Sequence, residues 1–205
     1  GHVFCPGCGH EVLSDSPQSA AETLRALPEG TRYMIAFAAT VGDEQDPEGV
    51  ASTLAEEGFV RVVAGGRMVN LAEAASGVGL REAAADDAWY VVIDRLRAGD
   101  ATEARIRDSL ETAFGKGAGQ CYALVEDGES AAPGDGRRGV VSEIEGRPWR
   151  RMGFSTRFSC VDCRLDFPAP EPRLYSFNSP LGACPECEGF GNVIDVDMEL
   201  VVPDP

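Results

Sequence analysis

The chain has 205 residues, of which 43% are hydrophobic and 25% are charged, and this composition is typical of a globular protein rather than a disordered one. The formal net charge is −16. An acidic surface repels a phosphate backbone, so the charge argues against general nucleic-acid binding and favours a protein partner. No apolar run reaches the roughly 18 residues of a membrane helix and no signal-peptide pattern opens the chain, which predicts a cytoplasmic protein.

The chain opens with two histidines around a Cys-Pro-Gly-Cys turn. His2, Cys5, Cys8 and His10 are enough on paper for a complete metal site, but their short spacing would force all four to fold back around one ion. We therefore expect Cys5 and Cys8 to form half of a site whose other ligands lie elsewhere in a longer chain, with either histidine as an uncertain addition. A complete local site and a β-turn with two free thiols are the alternatives.

Helices and strands alternate over residues 14–127, which predicts one compact α/β (α+β) domain with a mixed sheet. The predicted elements are a helix from Pro17 capped by Asp15 or Ser16, a strand over 31–41, a helix over 47–57, strands over 59–64 and 67–71, a strand over 88–96, a helix over 100–117 and a strand over 120–125. The segments 72–87 and 127–138 are predicted to be loops.

Three of these elements have specific signals. Gly65-Gly66 indicates a hairpin in which Arg61 lies opposite Asn70. The near-continuous apolar run over 88–96 is typical of a central strand covered on both faces. Asp100 is expected to cap the following helix, which buries a stripe of apolar residues at helical spacing: Ile106, Leu110 and Phe114. Cys121, in the last strand, is expected to be a small buried side chain.

Two further CxxC pairs follow. Cys160 and Cys163 are separated by twenty residues from Cys184 and Cys187. Four thiolates at this spacing are typical of one structural zinc ion in tetrahedral coordination. Such binding releases roughly 10 to 16 kcal/mol in model peptides, more than a small loop-rich segment could gain from its own core. A disulfide pair and four unrelated thiols are the alternatives, and the close spacing within each pair and the lack of a secretion signal disfavour disulfides.

The run EPRLYSFNSPLGACPECEGFG over residues 171–191 resembles, almost residue for residue, the first zinc-finger region of the UvrA family. These proteins are the damage-scanning ATP-binding-cassette subunits of bacterial nucleotide excision repair. The order PEGTR, EEGFVRV, VVIDRL and DSLETAF is similar to the inserted domain of that family, and residues 193–205 resemble the entry to its signature domain.

The resemblance implies four segments. Residues 1–13 would leave ATP-binding domain I, 14–127 would form a UvrB-interaction-like domain, 128–157 would be a linker and return segment, and 158–205 would hold the zinc module and the start of signature domain I. It further implies a structural zinc ion, docking of a UvrB-like helicase, and a parent protein that is a homodimeric ATPase and contacts DNA.

Two hypotheses of different classes follow. In the first, the chain is a docking module, and the candidate partner-binding residues are Arg61, Arg67, Arg95 and Arg97, because arginine suits bidentate pairing with carboxylates. In the second, the zinc segment contacts DNA directly through Arg157, Arg164 and Arg173, although these arginines could equally offset the charge of the metal centre. A UvrA paralogue with another partner is a further alternative.

No catalytic residue is predicted. The Gly-Lys at 115–116 lacks the Ser or Thr that follows it in a phosphate-binding loop, and no ATP-binding-cassette signature occurs. Four thiolates would also fill the zinc shell and leave no position for a reactive water. We therefore expect this segment to catalyse nothing alone.

Overall fold

The computed structural model describes residues 2–41, 46–75, 88–127, 139–184 and 187. The chain divides into two units, Gly1–Phe167 and Pro168–Pro205. The elements of the first unit are β1 (Val3–Phe4), β2 (Glu11–Val12), α1 (Pro17–Arg25), β3 (Arg32–Thr40), α2 (Pro47–Glu56), β4 (Arg61–Ala64), β5 (Arg67–Asn70), α3 (Leu71–Ala74), β6 (Ala88–Arg97), α4 (Glu103–Lys116), β7 (Gln120–Glu126), β8 (Val140–Ile144), β9 (Arg147–Ser155), β10 (Ser159–Cys160) and β11 (Leu165–Asp166). In the second unit, the described residues include a short 3-10 helix at Pro172–Tyr175.

Seven strands form one sheet in the order β5-β4-β6-β3-β7-β9-β8. The predicted α+β class is confirmed, but the sheet is antiparallel in every described ladder rather than mixed. The physical reason lies in the topology. Strand β4 runs parallel to β3, as a crossover through α2 requires, but β6 is inserted between them and is antiparallel to both. Parallel strands are therefore never neighbours.

The sequence signals for the main helices and the hairpin are confirmed. Ser16 caps α1 in a capping box with Ser19, and the Gly65-Gly66 turn places Arg61 opposite Asn70. The α4 stripe of Ile106, Leu110 and Phe114 is buried. The cap of α4 differs from the predicted one: Thr102, not Asp100, accepts a hydrogen bond from a backbone N–H of the first turn. Cys121 is fully buried, as expected.

Two predictions about connecting segments need correction. The loop predicted over 72–87 begins as the short helix α3, which Asn70 caps by accepting from the Ala72 N–H, and residues 76–87 lie outside the described residues. Within the predicted linker and return segment, 128–138 also lie outside them, but β8 and β9 are full members of the sheet. Strand β9 pairs with β7 over seven residues, so this part of the segment belongs to the domain itself rather than to a linker.

The helices pack on one face of the sheet, hereafter the helix face. The opposite face, hereafter the second face, is covered by the sheet's own curl. Its apolar cluster comprises Met34, Val63, Val92, Leu124, Ile144 and Trp149. The curl brings the two edge hairpins together, because the Glu145 N–H donates to the Gly66 carbonyl at 2.9 Å and the Met68 N–H donates to Glu145 Oε1 at 2.8 Å.

Among the described residues, no helix combines the length and apolar character needed to cross a membrane.

Candidate metal centre and charged surfaces

Four of the seven cysteines lie in two small hairpins, one near the start and one near the end of the first unit along the chain. Cys5 and Cys8 lie in the turn between β1 and β2, and Cys160 and Cys163 lie in the turn between β10 and β11. The first turn is closed by the Cys5 N–H, which donates to the His10 carbonyl at 2.8 Å. In both hairpins the residue after the second cysteine has a left-handed backbone, with φ of 74° at Gly9 and 55° at Arg164. The two turns thus have the same local form.

The four sulfur atoms of Cys5, Cys8, Cys160 and Cys163 all lie within 4.8 Å of one another. The Cys8 and Cys160 Sγ atoms are 3.5 Å apart. A tetrahedral zinc ion with Zn–S bonds of about 2.3 Å separates its sulfurs by roughly 3.8 Å. The thiols are therefore placed as a metal shell requires, and no disulfide joins any of the seven cysteines, all of which are described.

A glycine keeps the space beside the sulfurs open. A Cβ on Gly7 would lie 2.9 Å from Cys163 Sγ and 3.7 Å from Cys5 Sγ. Any side chain at position 7 would therefore press on Cys163 Sγ and would contact Cys5 Sγ. The four cysteines, with Gly7 between the first two, could hold a metal ion.

The thiols of Cys5 and Cys163 do not ionise alike. Burial by itself raises the pKa of Cys5, but backbone N–H groups of Cys8 and Gly7 favour the thiolate and bring its pKa down to about 7. The hydrogen bond with Cys5, then that with Cys8, raises the pKa of Cys163 to about 12. Without metal the cluster therefore keeps part of its protons. Because thiolates are the ligands, metal binding must displace those protons.

This set of ligands differs from the one predicted. Cys160 and Cys163 lie with Cys5 and Cys8. The reason is that β9 and β10 return the chain to its own first hairpin. The first hairpin is half a site, as expected, but its other half lies in this chain. Cys184 and Cys187 belong to the second unit, and their role as metal ligands stays a prediction.

Neither N-terminal histidine is needed at this centre, because four sulfurs already complete a tetrahedral shell. His2 Nδ1 pairs with the Glu11 carboxylate across the hairpin. His10 Nδ1 lies 3.9 Å from Asp162 Oδ2, beside the second turn. Both histidines therefore flank the centre.

The second cysteine turn rests directly on the sheet. A Cβ on Gly153 of β9 would lie 1.9 Å from Val161 Cγ2, so only glycine allows this approach. Asp162, between the two cysteines, accepts a hydrogen bond from Arg151 at 3.1 Å, and Arg151 also donates to the hydroxyl of Tyr90. The cysteine centre is thereby joined to the second face of the sheet.

The candidate docking arginines lie at different places. Arg95 and Arg97 are exposed and, by register, lie opposite Met34 and Arg32 on the second face. They line a groove of about 520 Å³ whose apolar lining includes Met34, Met68 and Trp149. Arg61, opposite Val92, shares that face. Arg67 lies opposite Ala64, a member of the helix-face cluster, and neither Arg61 nor Arg67 lines the groove.

The candidate DNA-contacting arginines are all exposed. Arg157 and Arg164 belong to the first unit, on either side of the cysteine pair in the second turn. Arg173 belongs to the second unit, where it donates to Glu171 at 2.8 Å. Their roles in binding DNA stay predictions.

Residues 15–127 match the family described as the UvrA interaction domain. Proteins with the name UvrABC system protein A are similar to the whole chain: 29% identical over 204 residues in Treponema pallidum, 32% over 204 in Streptomyces coelicolor and 34% over 206 in Mycobacterium bovis. Each comparison covers 100% of this chain but 20%, 18% and 19% of the relative. The chain thus spans about a fifth of the length of these relatives.

Proposed function

This chain belongs to the family of the UvrA interaction domain, and on that premise we propose that it docks a UvrB-like helicase within a UvrA-like nucleotide excision repair protein. On this proposal, the ATPase activity, dimerisation and main DNA contacts of the parent reside in parts outside this chain. A paralogue with a different partner would use the same surface for another protein.

The observation that supports docking is the arginine groove on the second face. Arg32 and Arg97 lie directly opposite each other in neighbouring strands, and like charges in such a position destabilise a sheet. Arg32 is neutralised by Glu126. The ion pair of Arg97 is weaker, because its Nε atom lies 3.9 Å from Asp100 Oδ2. Among the described residues, Arg95 has no acidic partner. A net-acidic chain that places Arg95, and Arg97 with its weak ion pair, beside apolar side chains presents a surface suited to carboxylates of a partner.

A binding titration tests the docking proposal. The chain is titrated against the UvrB protein of the same organism, and Arg95→Glu is expected to weaken binding by about tenfold or more, because it puts a repelling charge in the groove. The matched control is Arg107→Glu on the exposed surface of α4, which changes the net charge by the same amount. The proposal fails if the unchanged chain does not bind UvrB, or if the control weakens binding as much as Arg95→Glu.

We further propose that zinc fills the four-cysteine centre as a structural ion. The supporting observation is that the sulfurs of Cys5, Cys8, Cys160 and Cys163 lie together without a disulfide. A metal there would cross-link the first and last hairpins of the unit. It would thereby hold the docking domain in a set orientation relative to whatever precedes and follows it, which is how the module would couple docking to the ATPase and DNA-binding parts.

Zinc stoichiometry by native mass spectrometry tests the ligand set. Cys8→Ser is expected to remove one ion per chain while leaving any ion at Cys184 and Cys187 in place. Cys187→Ser is the complementary variant, and it is expected to leave the four-cysteine centre loaded. Retention of the ion in Cys8→Ser together with its loss in Cys187→Ser would instead support the set of Cys160, Cys163, Cys184 and Cys187.

Direct DNA contact is the second candidate function, favoured by the exposure of Arg157 and Arg164 beside the cysteine turn. It predicts DNA affinity that falls steeply with salt, since each phosphate contact releases counterions. Affinity for duplex DNA together with no affinity for UvrB would favour this function over docking.

A further inference from the structure

A second concavity lies between the sheet and the second cysteine turn, away from the arginine groove. Its volume is about 430 Å³, within the range of sites that hold small ligands. Its walls comprise the ends of β3 and β6, the turn between α4 and β7, and Val161, Asp162 and Arg164 of the cysteine turn. All of these lie in the first unit. The floor is aromatic, because the rings of Tyr90 and Tyr122 meet edge to face with centroids 5.0 Å apart.

Two exposed cations stand at the rim of this concavity, Lys116 and Arg164. Lys116 Nζ pairs with Glu57 at 2.8 Å, and about half of each side chain is exposed, with 45% and 43% accessible. An ion pair this exposed is worth about 0 to 1 kcal/mol, so Lys116 can exchange Glu57 for another anion. Arg164 has no ion pair among the described residues. Arg151 is different, since Asp162 and Tyr90 already hold its guanidinium as part of the wall.

The backbone of Arg164 supports a role for its side chain. At φ of 55° it occupies the left-handed region, which costs a residue with a Cβ about 1 kcal/mol or more. The equivalent position in the first cysteine turn is Gly9, which adopts the same conformation without that cost. Folding alone would favour glycine at both positions. Arg164 nonetheless keeps a cationic side chain at this concavity, in a position where the backbone favours glycine.

The neutral groups around the rim suit the edge of a nucleobase. Thr40 and Gln120 both line the concavity, and their hydroxyl and amide groups can donate and accept hydrogen bonds. Exposed arginine and lysine beside a tyrosine ring are the combination that holds nucleotides in single-strand binding grooves, through phosphate charge and base stacking. A carboxylate-bearing peptide would use the cations but would leave the aromatic floor without a flat partner.

We propose that this concavity binds one nucleotide, with Arg164 and Lys116 holding the phosphate and Tyr90 supporting the base. The nucleotide is either free or part of a single strand, since both present the same phosphate and base. This site is separate from the UvrB-docking groove, and binding at one does not require the other.

Fluorescence anisotropy with the full, zinc-loaded chain tests the proposal with two probes, a short single-stranded DNA oligonucleotide and AMP. Arg164→Gly is expected to weaken binding about tenfold. For the oligonucleotide it is also expected to lower the slope of log affinity against log salt by about 0.7, the value for one lost phosphate contact on a single strand. Because glycine suits the left-handed backbone, the thermal midpoint of Arg164→Gly should be unchanged or higher. Lys116→Gln is expected to lower the slope by a similar amount.

The control is Arg107→Ala on the helix face, which removes one arginine without changing the concavity. Oligonucleotide binding without AMP binding would assign the site to a strand, and binding of both would assign it to the nucleotide unit itself. The proposal is overturned if neither probe binds, if Arg164→Gly binds as tightly as the unchanged chain, or if a poly-glutamate peptide competes as well as the oligonucleotide. Arg164→Gly should leave UvrB affinity unchanged, so failure here is distinct from failure of the docking proposal.

Discussion

Removing the first cysteine turn from the metal centre should destabilise the whole sheet, even though the turn lies outside it. Cys8 and Cys160 are 152 positions apart, so a metal that joins them closes nearly the entire first unit into a loop. In the loop-closure model, a cross-link at this separation lowers the entropy of the unfolded chain by an amount worth about 5 kcal/mol. The double substitution Cys5→Ser with Cys8→Ser opens that loop and leaves the seven-stranded sheet otherwise intact.

Urea unfolding in saturating zinc measures this effect. Trp89 and Trp149 are both buried in the sheet, so tryptophan fluorescence reports its unfolding. We expect the double variant to lose up to about 5 kcal/mol of unfolding free energy. The control pair, Cys184→Ser with Cys187→Ser, should lose less than about 1 kcal/mol, the usual scale of changes outside a packed core. A double variant as stable as the parent, or a control that loses as much, would refute the ligand set.

Three further predictions concern the sheet and its supports. Gly153→Ala should cost about 1 to 3 kcal/mol of unfolding free energy, because its Cβ would lie 1.9 Å from Val161 Cγ2, and Val161→Ala should restore most of the loss; no restoration would mean that the two residues do not press on each other. Burial by itself raises the pKa of Asp94, but hydrogen bonds led by that from Arg105 outweigh it and lower the pKa. The stability contributed by ionised Asp94 is therefore present above about pH 4 and lost as the pH falls through the lowered pKa. In urea titrations, the difference in unfolding free energy between the parent and Asp94→Asn should therefore become smaller on acidification. A difference that does not change with pH would contradict this. Leu110→Ala should cost about 2 to 5 kcal/mol in the same assay, since Leu110 is fully buried, whereas a cost below about 1 kcal/mol would contradict the packing of α4.

Local chemistry was enough to predict the elements whose signals are carried by neighbouring residues. Gly65 and Gly66 both have positive φ, which glycine adopts easily. The two-glycine turn therefore fixes the register of its hairpin, in which Arg61 pairs with Asn70. The buried stripe of α4 follows from helical periodicity alone. The cap of α4 shows the limit of such signals, because Asp100 and Thr102 can both cap a helix and only the backbone path selects Thr102.

Strand pairing was less accessible from the sequence. The segment 128–157 was predicted to be a linker and return segment, because its alternating arginines and apolar residues do not show which sheet they join. Its partner, β7, precedes the loop predicted over 127–138. The two strands pair because β7 has β3 on one side only, and β9 fills the other side. The mixed sheet was likewise expected from helix and strand alternation, whereas the insertion of β6 between β3 and β4 is a property of the assembled topology.

The presence of CxxC turns, each able to supply half of a tetrahedral metal site, follows from the order of residues alone, because two thiolates three positions apart can reach one ion. Which halves meet was decided only by the tertiary structure. Cys184 is closer to Cys163 in the chain than Cys5 is, but β9 and β10 carry Cys160 and Cys163 back to the first hairpin. Thiolates bind one metal ion when their sulfurs are close in space. Separation along the chain limits that distance only where the chain between the cysteines is short.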